Sequence, residues 1–224
     1  MNNQPIRLNK FLAERLGVSR READELITAG KITINDQVAS LGARVDKNDR
    51  VCYTKKIVPF EAAFLYLVFN KPVGYVCSRR AQGSAPTLYE LLPKKYHHLK
   101  TVGRLDKDSS GLILLTNDGD FAFKMTHPKF RKNKVYEVEL DRPLEPLHQQ
   151  MIMDYGVALD DGPSQFKVIK DKNHYLVVLS EGRNRQIRRT FAALGYKVTK
   201  LHRIQFGEYE LGNLAFGKYD IIEI

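Results

Sequence analysis

Apolar positions in the first sixty residues follow two different periods. Leu8, Phe11, Leu12 and Leu16 recur at three- and four-residue spacing, which predicts a helix that Gly17 ends. Ser19 and Glu22 then stand three residues apart ahead of Ala23, Leu26 and Ile27. That spacing predicts a capping box opening a second helix, with Gly30 at its C-terminal stop. Lys31 to Asp36 alternate and run into a turn, and Val51 to Tyr53 predict a further strand. Residues 1–58 read as a small module, and two short helices and a small hairpin bury so little apolar surface that it is expected to lean on its partner or to be marginal alone.

Beyond a linker at residues 56–64, which contains Pro59, the pattern changes. Leu65 to Phe69 form an unbroken apolar run, the mark of a buried strand, and Asn70 to Gly74 signal a turn that ends it. Strands are expected around Ile113–Leu115, Val135–Leu140, Gln165–Lys170, His174–Ser180 and Val198–Ile204. Helices are expected from Asp118 through Met125, over Pro143–Met153 and over Asn184–Leu194, the last closed by Gly195. Strands outnumber helices, so residues 62–224 predict an α+β domain built on a large mixed or antiparallel sheet. No internal repeat interrupts this order.

Charge adds a partner to the picture. The 224 residues carry 36 Lys and Arg against 26 Asp and Glu, a net charge of +10. Such a balance favours a polyanion, because each Lys or Arg gains by displacing counterions from phosphate. Two cysteines, Cys52 and Cys77, rule out a disulfide scaffold and a four-Cys zinc site, which fits a reducing compartment. The opening MNNQPIRLNK lacks the apolar stretch of a signal peptide, and no run reaches the roughly 18 apolar residues of a membrane span. A cytoplasmic protein without membrane contact is expected. The six histidines are scattered or adjacent, and neither a metal-ligand spacing nor a Gly-rich phosphate loop occurs. No metal or cofactor is expected.

The candidate chemistry begins at Gly103-Arg-Leu-Asp106, followed by Asp108, Ser109, Ser110, Gly111 and an apolar run. Arg104 and Asp106 stand two apart. If both face one cleft, the Arg favours an ionised carboxylate suited to act as nucleophile or base. Asp in a turn is more often structural, and Asp108 competes by type, with bonding to turn amides as its expected role. Tyr136, on an alternating strand after Lys134, is either a core aromatic or a ring on which a base stacks. Residues 182 to 203 hold seven Lys or Arg and no acid: Arg183, Arg185, Arg188, Arg189, Lys197, Lys200 and Arg203. Spacing puts Arg185, Arg188 and Arg189 on one helical face, and phosphate contact outweighs a plain solvated face. Lys124, Lys129, Arg131, Lys132 and Lys134 form another acid-free stretch, expected to be an RNA-gripping loop. In the first module Arg7, Lys10, Arg20, Arg21 and Lys31 gather around the helix pair. Residue types alone support a basic, two-domain RNA-binding protein with an Asp–Arg site.

Two resemblances sharpen that reading. Arg7-Leu-Asn-Lys-Phe-Leu12, then Ser19-Arg-Arg-Glu-Ala23, then Gly30-Lys-Ile-Thr-Ile-Asn35 resembles the S4 RNA-binding domain. That resemblance implies RNA contact by Arg7, Lys10, Ser19, Arg20, Arg21 and Lys31. The Gly103-Arg-Leu-Asp106 block, Asn70-Lys-Pro-Val-Gly74, Lys134-Val-Tyr136 and Gly182-Arg-x-x-Gln-Ile-Arg188 resemble the motifs of the RsuA-type bacterial pseudouridine synthases, which act on ribosomal RNA. The resemblance spans nearly the whole chain. It implies isomerisation of a flipped-out uridine without a cofactor, with Asp106 as the catalytic residue, Tyr136 against the base and Arg188 paired with Asp106. It also implies an apolar contact from Leu201, occupation of the vacated base space or a flanking phosphate by Arg104, RNA contact by Arg183, Arg185 and Arg189, and structural support from Lys71 and Pro72. Attack of Asp106 on C1′, addition to C6 and removal of the C2′ proton all stay open. A monomer acting on ribosomal RNA or on a subunit-assembly intermediate is expected. The rival classes are a non-catalytic ribosome-assembly factor with the same fold and an Asp-dependent phosphoryl hydrolase.

Overall fold

A computed structural model of the chain describes residues 4–61, 63–79 and 83–224, in two compact units. The first unit comprises the chain up to Leu65 together with His98–Lys100 and Thr116–Gly119; the second holds the remainder. Ala62, inside the expected linker, lies outside the described residues.

In the first unit helix α1 covers Leu8–Arg15 and α2 covers Arg20–Thr28. Leu8, Phe11 and Leu12 pack against Ala23 and Ile27, with Ile32, Val45 and Val51 closing the core. Gly17, at φ +69°, adopts the left-handed turn between the helices, which costs glycine least. The capping box forms: Ser19 Oγ accepts from the Glu22 amide at 3.1 Å, and the Ser19 amide donates to Glu22 Oε2 at 2.7 Å. Strand Ile32–Ile34 turns through Asn35 and Asp36, both at positive φ, into Gln37–Val38. Two adjacent left-handed residues match the right-handed twist of a tight hairpin. The expected linker starts as structure instead. Thr54 and Lys55 turn the chain back, and Lys56–Ile57 pairs with Val51–Tyr53. Val58 then buries its side chain in the first unit's core, so the edge of strand 51–53 is covered rather than left open.

The second unit contains a nine-stranded mixed sheet among the described residues. Its main path runs Lys167–Asp171, His174–Leu179, Lys134–Leu140, Val198–Phe206, Ser110–Thr116, Tyr66–Lys71 and Tyr219–Ile222. Ser110–Thr116 is buried along its whole length and runs parallel to Val198–Phe206, whereas Lys134–Leu140 is antiparallel to both its neighbours. Gly111 explains the parallel contact. Its φ is +107°, and a Cβ there would overlap the backbone of Arg203, so only glycine lets the two strands meet.

Several expected boundaries move. The Tyr66–Lys71 strand continues through Asn70 and Lys71, because the Asn70 amide donates to Lys218 O and its side chain to Leu214 O. The turn falls at Pro72–Gly74. The helix expected over Pro143–Met153 begins at Pro146, whose fixed φ suits the first helical position. It continues as a π-helical turn to Tyr155. A helix spans Gln186–Ala193, so Asn184 and Arg185 precede it; Arg185 sits left-handed at φ +47°. Helix α3, Gly119–Thr126, and a 3-10 turn at Pro128–Phe130 replace most of the expected basic loop.

Candidate active site

Residues 103 to 109 form a short connection pinned from several sides. Cys77 Sγ donates to Leu105 O at 3.4 Å and accepts from the Leu105 amide at 3.3 Å. Leu105 is buried there, whereas Arg104 is exposed and Asp106 half-buried. The Gly74 amide donates to Lys107 O at 2.7 Å, and the Ser109 amide to Asp106 O at 3.1 Å. Lys71 is fully buried, and its ammonium donates to Ser109 O at 2.7 Å and Pro72 O at 2.9 Å. Burial pulls that ammonium down to a pKa of about 8, opposed by Cys77, Asp106 and Asp108.

Asp106 lies on the wall of a cavity of about 360 Å³, within the range of small-ligand sites. Arg104, Tyr136, Arg185, Leu201 and Arg203 line the same cavity. Tyr136 is buried and pairs across the sheet with Arg203. The Arg203 guanidinium stands 6.0 Å from the Tyr136 ring centre and 4.9 Å from that of Phe206, and its Nε donates to Leu112 O at 2.7 Å. Lys134 also lines the cavity; burial, aided by Arg203, lowers its ammonium to about 8.

The arginine cluster is arranged differently from its helical-face expectation. Arg185 grips Asp108 bidentately at 2.9 and 2.8 Å and stands 3.7 Å from Asp106. Arg188 does not line the cavity. Its Nε lies 3.3 Å from the Asp108 carboxylate, and its Nη groups donate to Asp108 O at 2.8 Å and Val198 O at 3.0 Å. Asp108 is therefore an ion-pair hub, and the Arg185 hydrogen bonds hold its carboxyl below the usual carboxylate range. Arg183 donates to the carbonyls of Asp161, Gly162 and Pro163, and Arg189 forms a bidentate pair with Asp161 at 3.1 and 2.7 Å. Both engage the Val157–Leu159/Gly162–Ser164 hairpin, whose carbonyls and carboxylate suit planar guanidinium groups, while Arg183 also lines the cavity and keeps a buried Nε without a hydrogen-bond partner among the described residues.

Sequence reasoning named Arg203 as one charge in a cluster and missed its burial beside Tyr136. It assigned Lys71 only a supporting place. An Arg among apolar neighbours in a strand was the available signal. In the first unit Arg20 and Arg21 are exposed in the first turn of α2, where cations oppose the helix dipole. Ser19 spends its hydroxyl on the cap. Arg7, Lys10 and Lys31 lie around the same helix pair, with Lys10 at 4.0 Å from Glu14. Among the described residues no helix is long and apolar enough to cross a membrane, and no three His, Cys, Asp or Glu side chains gather as metal ligands.

The profile of the RNA pseudouridylate synthase family matches residues 65–193, and that of the S4 domain matches residues 6–51. A ribosomal small subunit pseudouridine synthase A of Pasteurella multocida is 39% identical, over 96% of this chain and 94% of that relative. A ribosomal large subunit pseudouridine synthase B of Pseudomonas aeruginosa is 36% identical, over 95% of this chain and 58% of its own length. A crystal structure of a pseudouridylate synthase superimposes with a TM-score of 0.70 at 32% identity, covering 97% of this chain and 96% of that one. A family match over more than half of the chain, together with full-length relatives, identifies the protein: it belongs to the RNA pseudouridylate synthase family.

Proposed function

We propose that this protein isomerises a uridine of ribosomal RNA to pseudouridine, with Asp106 starting the reaction. The observation that carries the reading is the convergence of Asp106, Arg104, Tyr136 and Leu201 on one cavity from three distant stretches of chain. Uridine C1′, C5 and C6 are crowded inside a stacked helix, so the target nucleotide must leave the stack to react. The cavity receives it, Tyr136 and Leu201 hold the base, and Arg104 contacts the backbone or fills the vacated space. The N1–C1′ bond breaks, the uracil turns, and C5 bonds to C1′. The C5 proton leaves and N1 gains one, so no atom is lost and no redox partner is needed.

The positive field supports the separated state. Arg203, buried beside Tyr136, places a fixed cation near a uracil that carries charge once detached. Arg185 supplies the ion pair of Asp106, and Arg188 acts through Asp108, one residue pair further back. The S4-type unit grips ribosomal RNA through Arg7, Lys10, Arg20, Arg21 and Lys31. The substrate is free ribosomal RNA or a subunit-assembly intermediate, and the protein works as a cytoplasmic monomer.

Asp106→Asn tests the assignment. The variant should bind ribosomal RNA with near-normal affinity and form no pseudouridine by chemical labelling of the RNA. Full labelling by the variant would remove Asp106 from the chemistry.

A further inference from the structure

Helix α3 and the 3-10 turn after it expose two aromatic rings beside the cavity. Phe123 is 46% and Phe130 38% exposed, and their rings meet edge to face at 5.9 Å. His127 tilts against Phe123 at 4.7 Å between centroids. The local sequence holds the three together. Phe123 lies on α3, and His127 follows one helical turn later, just past the helix end; its amide donates to Phe123 O at 2.9 Å, and its Nδ1 accepts the Lys129 amide at 3.2 Å to cap the 3-10 turn that carries Phe130. Arg131, left-handed at φ +45°, turns the chain away towards Lys134. The inward residue of α3, Met125, is buried, so the core is already filled without these rings.

Two further observations say what the rings face. Lys129 Nζ stands 4.7 Å from the Phe130 centroid and 5.3 Å from that of Phe123, and residues 121 to 136 contain no Asp or Glu. Thr126 and Pro128, between the rings in sequence, line the Asp106 cavity itself. A cationic aromatic segment that adjoins the rim of the cavity complements RNA leaving that cavity. A base has a π-face for the ring, and its phosphate has a charge for the lysine.

We infer that Phe123, His127 and Phe130 form a stacking platform for one unpaired nucleobase flanking the target, with Lys129 moving from the rings onto that nucleotide's phosphate. The platform extends the proposed RNA reaction and rests on that reading, but its test reads binding rather than isomerisation. It would favour a target whose neighbour is unstacked, as in a loop or a bulge.

The chain contains no Trp, so Phe130→Trp in the full-length protein places a single reporter on the platform. A short oligoadenylate should quench the introduced indole, and inorganic polyphosphate, which offers charge without bases, should not. Adding Phe123→Ala should weaken the oligoadenylate titration about tenfold. In the otherwise unaltered protein Phe130→Leu, which keeps an apolar side chain in the cluster, should weaken oligoadenylate binding by a similar factor. Equal quenching by polyphosphate overturns the platform. So does oligoadenylate that binds by filter assay without quenching, or an unchanged affinity in Phe130→Leu. A failure of the wild-type protein to make pseudouridine would refute the proposed reaction and leave these binding results standing.

Discussion

Arg185 binds Asp108 bidentately at 2.8 and 2.9 Å and stands 3.7 Å from Asp106, while the ion pair of Arg188 is with Asp108. Asp108 thus sets where both guanidinium groups stand relative to the Asp106 carboxylate.

Asp108→Asn should release that arrangement. Expected is a fall in single-turnover pseudouridine formation of roughly tenfold or more, from misplacement of the Arg185 charge. RNA affinity should hold or rise slightly, since a negative charge is removed. Folding stability should change little, because the pairs are partly exposed. A wild-type rate in Asp108→Asn would show that the hub does not position anything.

Gly111→Ala should be among the most damaging single-methyl changes in the chain. The new Cβ would overlap the Arg203 backbone at an already left-handed φ. We expect a loss of about 3 kcal/mol or more, or failure to fold, measured by urea unfolding. A smaller loss would mean the parallel strands can separate without harm.

Lys71 makes stability depend on alkaline pH. Its pKa falls from 10.5 to about 8 on folding, so between those values the unfolded chain holds a proton that the folded chain has released. Stability contributed by this group therefore rises as pH goes from about 8 to 10.5. The full span is on the order of 3 kcal/mol. Lys71→Met removes the titration and leaves two carbonyls without their donor. Urea unfolding at both ends of this window should show a smaller alkaline gain in the variant than in the wild type. Equal gains would place the titration elsewhere.

Arg20→Ala with Arg21→Ala should weaken ribosomal RNA binding and flatten its salt dependence. Removing two phosphate-binding cations should make the slope of log K against log salt shallower by about 1.5. A slope unchanged by the double variant would take these arginines out of the interface. Pseudouridine formation at saturating RNA should be nearly normal.

Much of the frame was legible because it is written in local periods. Leu8, Phe11 and Leu12 mark a helix face, Ser19 and Glu22 a cap, and Ile113–Leu115 part of a buried strand, each within a few positions of chain. The boundaries that moved are those decided by distant partners. Asn70 and Lys71 remain in a strand because residues 214, 218 and 109 receive their donors. Lys56–Ile57 became a strand because 51–53 offered an open edge.

The amino-acid order by itself determined which residues could do chemistry: an Asp beside an Arg, a Tyr on a strand, and a run of arginines without acids. Tertiary structure decided which of them meet. Ser110–Thr116 lies beside Val198–Phe206 across some ninety residues of sequence, and this contact carries Leu201 and Arg203 to the Asp106 cavity. The arginines could not be sorted in advance, since a guanidinium takes whichever oxygens the fold brings within reach. Arg183 and Arg189 found residues 161–163, Arg188 found Asp108, and Arg185 was left at the side of Asp106. Charge is a property of the sequence; its pairing is a property of distances, and folding alone sets those.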